Sequence, residues 1–527
     1  MERKWWTLIA VSVAIFMLLL DITVVNVALP DIQRSLHSSF SDLQWVVNAY
    51  SLTLAAFLLT AGALADRFGR RRLFTLGLIV FTLSSAACGL SGSPLALNLF
   101  RALQGTGGAM MFATSLALIA GAFHGRERGL AFGIYGGVIG GAVAVGPIVG
   151  GLITSGIGWE WIFFVNVPIG IGAVLLTLTQ VSESRDPNAR GVDWLGLVTF
   201  SGSLFLLVFA LVQGNEKGWG STRILGFLIG SLTLIVLFVI VERRQRRPML
   251  DLTLFRKPAF AGASIVAFAV SSSMFAMFLY LTLYIQDVLG YGPLQAGLRF
   301  LPITLLSFFV APLAGRLSVR VPIRVLLGCG LILVSVGLLT MSAVDASSQW
   351  TVLVPGFVLA GAGIGLINPP LASTAVGVVH HSRSGMASGI NNTFRQVGIA
   401  TGIAGLGAIF QHELPRDTTS ALSKTARGHE VLHHVGAKLN TALVSGEVGQ
   451  LAHSLPSPAR AALAHAYRVG FTHAFSSILL IAACVALVGA AFAFTLVRSR
   501  DFVAAEPPGA NEHAGEPTPE PIAGAAG

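Results

Sequence analysis

LLLDITVVNVALP, residues 18–30, lies within the first apolar run of the chain and carries an aspartate, Asp21, in its interior. A carboxylate at the centre of a bilayer helix costs roughly 2.5–3.5 kcal/mol on insertion scales. Either this segment is not in a membrane, or the charge has a task that offsets the cost. Composition decides between the two. Of 527 residues, 54% are hydrophobic and only 11% charged, with 60 glycines and a mean hydropathy of +0.75. A soluble domain carries about 25% charged residues. Long apolar stretches recur along the chain, which places it among all-α polytopic membrane proteins.

Runs long enough to span a bilayer fall at 7–29, 43–64, 73–91, 95–122, 130–155, 162–181, 194–213 and 224–241. Six more fall at 260–285, 294–315, 324–343, 350–371, 386–410 and 472–497, fourteen helices in all. The first run is too long for a signal-peptide core and lacks a convincing cleavage site, so it reads as a retained helix. An even count puts both termini on one face. That face holds 22 of the 34 Lys and Arg residues, against three in the short loops opposite, so both termini are expected to be cytoplasmic in a plasma membrane. The net charge of +10 is then orientation charge facing lipid headgroups and needs no nucleic-acid partner. Cys88, Cys329 and Cys484 all lie in apolar runs and read as small packing residues, not as metal ligands.

The chain resembles itself. GALADRFGRR (62–71) aligns with GRLSVRVPIR (315–324), and Gly105, Gly107, His124 and Gly129 pair with Gly361, Gly363, His380 and Gly385 at a constant offset. The repeat divides the chain into a six-helix half at 1–181, two inserted helices and a linker at 182–258, and a second six-helix half at 259–497. The second half includes a loop at 411–470, outside the membrane, that reads as either a partly helical cap or a mobile segment. The tail at 498–527, rich in Pro, Gly and Glu, reads as disordered. Asp21 aligns near Met274, Asp66 with Val319 and Arg101 with Phe357, so charge is kept in the first half and lost from the second.

Four motifs then carry a specific resemblance: LDITVVNVALP on helix 1, GALADRFGRRR (62–72) after helix 2, RALQGTGGAM (101–110) on helix 4 and GGAVAVGPIVGGL (140–152) on helix 5. In this order the chain resembles the fourteen-helix drug:proton antiporter branch of the major facilitator superfamily. The resemblance implies two six-helix halves plus two inserted helices, alternating access, and a substrate site between the halves. It implies a conformational latch at Gly62, Asp66, Arg67, Gly69 and Arg70, and an antiporter-type interface at Gly146, Pro147, Gly150 and Gly151.

Physical reasons accompany each motif. Glycines on helix 5 permit close helix approach and Pro147 removes a backbone donor. Arg101 lies about 9 Å into helix 4 and Asp21 about 12 Å from the far end of helix 1, depths that permit pairing. Asp21 and Arg101 are therefore the expected proton-coupling pair, with Gln104 one turn on. Asn26, Gln104, Tyr135, Tyr280, Tyr284 and Asn368 are the expected cavity residues, while Arg299 and Arg395 read as lying near helix ends. No P-loop, ligand cluster or nucleophile elbow is present in the sequence, so no enzyme, metal or cofactor is expected beyond protons as coupling ion. The expected function is proton-coupled export of lipophilic or toxic small molecules by a monomer whose partners are that substrate and the membrane lipids. An importer or symporter of the same fold, and a non-transporting sensor or scaffold, are the open alternatives.

Overall fold

The computed structural model describes residues 2–123, 125–184, 193–245, 250, 252–318, 320–378, 384–445, 448–498 and 501. The first half contains α1 (Arg3–Leu36), α2 (Phe40–Phe68), α3 (Arg70–Gly89), α4 (Pro94–Ala122), α5 (Gly125–Gly156) and α6 (Trp161–Gln180). The inserted pair is α7 (Trp194–Lys217) and α8 (Thr222–Arg244). The second half contains α9 (Pro258–Val288), α10 (Pro293–Leu317), α11 (Ile323–Met341), α12 (Val354–Gly377) and α13 (Ser384–Ser423). Two shorter helices, α14 (Ala426–Ser445) and α15 (Val448–His453), precede α16 (Ser457–Leu496).

All secondary structure among the described residues is helical. Eleven helical runs there are long and apolar enough to cross a membrane, which makes this a multi-pass membrane protein. The other three expected spans lie on α2, α5 and α13, which are not among the eleven. Many large apolar side chains stay exposed, Leu83, Leu90, Leu95 and Phe309 among them, as a lipid-facing surface requires.

Helix ends follow local chemistry. Ser39 and Asp42 form a reciprocal capping box that starts α2, and Ser93 and Pro94 start α4. α1 overruns the expected span at both ends and closes at His37, whose φ of 50° is left-handed. α9 is regular only in parts, with π-turns over Ser271–Phe275 and Tyr284–Val288. The loop 411–470 is helical for much of its length, because α13 runs on to Ser423 and α16 begins at Ser457. Of the tail, only Arg498 and Asp501 carry described contacts; the expectation of disorder falls on residues outside the described set.

The repeat seen in the sequence is repeated in packing. Gly105 of α4 lies against Tyr50 and Thr53 of α2, and Gly361 of α12 lies against Ile303 of α10. Gly107 lies against Gly77 and Phe81 of α3, and Gly363 against Gly330 and Val334 of α11. Paired glycines thus perform one task in each half: they let neighbouring backbones approach.

The face holding the N-terminus is here called the near face. The halves meet toward the far face, along α2–α13, α1–α9 and α5–α10. Phe40 stacks on Phe410, and Gln286 Nε2 donates to the Val27 carbonyl at 2.7 Å. On the near-face part of α5, by contrast, Gly137 and Gly141 face open space.

Candidate functional site

The sequence expectation about Asp21 has a direct geometric counterpart. Its carboxylate is 2% exposed, and Oδ2 lies 2.5 Å from Arg101 Nη1, itself on a residue 1% exposed. Gln104 Nε2 donates to Oδ1 at 2.9 Å and Asn166 Nδ2 donates to the same oxygen at 3.2 Å. The guanidinium is held in turn: Nε donates to the Val46 carbonyl at 3.1 Å and Nη1 to Gln104 Oε1 at 2.8 Å. Tyr50 supplies a ring face 4.3 Å below it. Asn166 also donates to Ser85, whose hydroxyl donates to the Phe163 carbonyl.

Helical spacing explains why these groups converge. Arg101 and Gln104 are three residues apart on α4 and share a face. α4 can lie against α2 because Gly105 has no side chain, and this brings the Val46–Tyr50 turn under the guanidinium. Asn166 enters from α6. Ser85 and the Val46 carbonyl carried no sequence signal at all, since neither residue type nor spacing marks them.

A carboxylate and a guanidinium buried together are tolerable only when the remaining polar atoms are also satisfied. Here Asp21 accepts from three side chains. Protonating it would remove the charge that holds Arg101 and weaken the three bonds that Asp21 accepts. The arrangement can therefore register a proton as a change in how α1 is tied to α4 and α6.

In the second half the aligned positions are apolar: Met274 and Phe357 are both fully buried. That half does contain one interior cation. Arg395 lies well inside α13, not near a helix end, and its guanidinium donates to Asn368 Oδ1 on α12. The expectation of a helix-end position fails because α13 starts at Ser384, about three turns before Arg395. Arg299 fits its expected position, close to the α10 start, with its guanidinium over Tyr291 and Trp350.

The other expected cavity residues are dispersed. Asn26 Nδ2 bonds back to Ile22 O on its own helix, and Tyr135 meets Ser115 at 2.9 Å. Tyr280 is fully buried and donates to the Ile403 carbonyl at 2.7 Å, and Tyr284 stacks on Phe475 at 5.0 Å. The structure therefore places both tyrosines in packed core between α9, α13 and α16, and Gln104 in the Asp21 network.

The helix 5 glycines lie against α1 of their own half and α10 of the other. Gly146 and Gly150 lie against Thr23 and Val24 of α1, and Gly151 against Pro293 and Leu294 of α10. A Cβ on Gly151 would stand 2.6 Å from Leu294 Cα, and one on Gly297 would run into the Pro147 carbonyl. We expect Gly297→Val to force α5 and α10 apart, at a cost of about 1–3 kcal/mol. A lowered Tm of the purified variant, with unchanged helical content by circular dichroism, is the check.

The Asp66 side chain lies outside the described residues, so the latch is seen only in part. Gly62 faces open space, and Arg67 lies over the Phe68 ring at 5.2 Å. Gly69 has φ +110°, and the Arg70 amide donates to the Ser184 carbonyl at 2.9 Å. Sequence reasoning missed Glu183. Its carboxylate accepts from the amides of Arg71 and Arg72 at 3.0 and 3.2 Å, an anion at the N-terminus of α3. Gly69→Ala would strain the backbone and push a methyl to 2.6 Å from that carboxylate. A loss of about 1–3 kcal/mol is expected, read as a lower unfolding midpoint.

Comparison with known proteins follows this geometry. The profile described as Major Facilitator Superfamily matches residues 11–403. The chain is 34% identical over 495 residues to the tetracenomycin C resistance and export protein of Streptomyces glaucescens, covering 93% of this chain and 91% of that one. It is 40% identical over 404 residues to the multidrug resistance protein Stp of Mycobacterium tuberculosis, covering 76% and 75%. The puromycin resistance protein pur8 of Streptomyces alboniger is 34% identical over 412 residues, covering 77% and 82%. Among solved structures, a bacterial homolog of the human lysosomal transporter Spinster superposes with a TM-score of 0.59 at 18% identity, over 96% of this chain and 99% of that one. That likeness is one of fold.

Proposed function

Because the chain belongs to the Major Facilitator Superfamily, a family of transporters and not of enzymes, we propose that it is a proton-coupled antiporter exporting lipophilic or toxic small molecules. In this reading both termini lie in the cytoplasm of a cell whose plasma membrane the protein spans. Protons enter through Asp21 and the exchange proceeds by alternating access. The buried Asp21–Arg101–Gln104–Asn166 set is the observation that carries the reading: it is a titratable group in a non-polar span, tied to two other helices of its half, α4 and α6. Resistance and export proteins among the relatives support the direction and the class of cargo.

The mechanism follows from which bonds a proton removes. With Asp21 ionised, α1 is drawn to α4 and α6. When a proton from the far face neutralises Asp21, Arg101 keeps Val46 and Gln104 but loses its counter-charge. α1 is then free to shift against α5, whose Gly146 and Gly150 abut Thr23 and Val24, two and three residues from Asp21. α5 in turn bears on α10 through Gly151, so movement reaches the second half. Cargo released outward and the proton released inward complete the exchange.

The experiment is gradient-driven transport in proteoliposomes. With the protein oriented and a proton gradient imposed toward the cytoplasmic side, a fluorescent lipophilic compound should move uphill in the opposite direction, and an uncoupler should stop it. No movement across a broad panel of lipophilic compounds would favour the scaffold reading, and cargo moving with the proton would favour the symporter.

A further inference from the structure

A cavity lies away from the Asp21 network, at the far-face end of the molecule. It encloses about 670 Å³, within the usual range for drug-sized ligands. Its floor is the end of α1 and the π-turn that closes α9, and its roof includes Leu443 of α14 and Val448, Gly449 and Ala452 of the α15 segment. One wall is aromatic: Phe40, Phe410, Phe471 and Tyr467 form a connected set with ring centroids 5.0 to 5.9 Å apart.

Two polar groups in the lining are unspent. Gln286 is 6% exposed and gives Nε2 to the Val27 carbonyl, while its Oε1 has no partner among the described residues. Ser38 is 2% exposed and its hydroxyl is likewise unpartnered. A buried acceptor left unmet is destabilising, so both would gain from a ligand that donates to them. At the rim stand Asp287, Arg34 and Arg468, with Arg34 tied to Asp31 at 3.0 Å. Asp287 adds an acceptor beside Gln286.

We propose that this cavity is a second binding site, on the release side, for amphipathic aromatic molecules bearing hydroxyl or amine donors. The rings lie along the Phe40–Phe410–Phe471 wall and the donor reaches Gln286 Oε1 and Asp287. The loop 411–470 thereby acquires a task as the roof of a binding chamber. Through Val27 the site is also bonded to α1, six residues from Asp21, so occupancy bears on the helix that carries the proton. That the site receives exported cargo rests on the transport reading above; the existence of the site does not.

The test uses the full-length protein oriented in liposomes, with doxorubicin, a fluorescent planar aromatic carrying hydroxyls and an amine, and iodide as a quencher confined to the far-face side. Two bound populations are expected, one of them quenched. Ala464→Trp, at an exposed position in the lining, should fill the chamber and weaken the quenched population at least about tenfold while the protected one persists. Asp21→Asn should retain the quenched population. A quenched population unchanged by Ala464→Trp, or displaced by phosphatidylglycerol alone, would overturn the proposal, the latter making the chamber a lipid pocket. Quenched binding in a protein that moves no cargo would uphold the site and remove the transport reading.

Discussion

Arg101→Ala is expected to destabilise the protein by about 3–5 kcal/mol, the usual consequence of stripping one partner from a buried ion pair. The loss is large because Asp21 is 2% exposed and no other cation replaces the guanidinium among its described contacts. Gln104 and Asn166 remain, yet they are neutral donors and do not balance a full charge. The variant's stability should improve when the unbalanced charge is also removed in Arg101→Ala/Asp21→Asn. Thermal unfolding of the four proteins of that cycle measures the coupling. Additive effects of the two substitutions would mean that the pair contributes no interaction of its own. Arg101→Lys should rescue only in part, since an ammonium lacks the fork that reaches Asp21, Gln104 and the Val46 carbonyl together.

Asp21→Asn is expected to leave the fold intact and to abolish gradient-driven accumulation. Asparagine is nearly isosteric and still accepts from Gln104, but it leaves the buried Arg101 without a counter-charge, so a lower Tm should accompany the loss of coupling. Cargo binding should persist and become independent of pH across the range in which the wild-type protein varies. Downhill movement of cargo should also persist, because alternating access itself does not require the charge. A variant that still concentrates cargo against its gradient would place the proton elsewhere.

Much of this site was legible because membranes penalise charge so strongly. Asp21 stood out as the one acid inside the fourteen apolar runs, and the depths of Asp21 and Arg101 matched. Gln104 followed from helical spacing. What stayed hidden depends on contacts between helices remote in sequence: Ser85, the Val46 carbonyl and the convergence of α6 have no local signature. Glu183 was hidden for a different reason. A carboxylate in a charged loop looks solvated until the helix N-terminus it caps is in place. A buried tyrosine and a cavity tyrosine read alike in sequence, and the packing of α9 against α13 and α16 places Tyr280 and Tyr284 in core here.

Fold was more legible than boundaries. The glycine pairs of the repeat, Gly105 with Gly361 and Gly107 with Gly363, prove to make corresponding contacts in each half. Helix ends were not readable to the same degree, since hydropathy marks where the bilayer ends and not where the helix does. α1, α13 and α16 all run well past their apolar segments. The same limit concealed part of the far-face cavity, to which the overrunning ends of α1, α13 and α16 contribute Arg34, Leu414, Tyr467 and Phe471.

The central claim is that cargo moving one way obliges a proton to move the other way through Asp21. It is tested most directly with no proton gradient imposed, by loading oriented proteoliposomes with a pH-reporting dye and applying a cargo gradient alone. The account predicts that cargo flux drives protons uphill in the wild-type protein and that Asp21→Asn carries cargo with no proton movement. Proton movement of wild-type size in Asp21→Asn would contradict it.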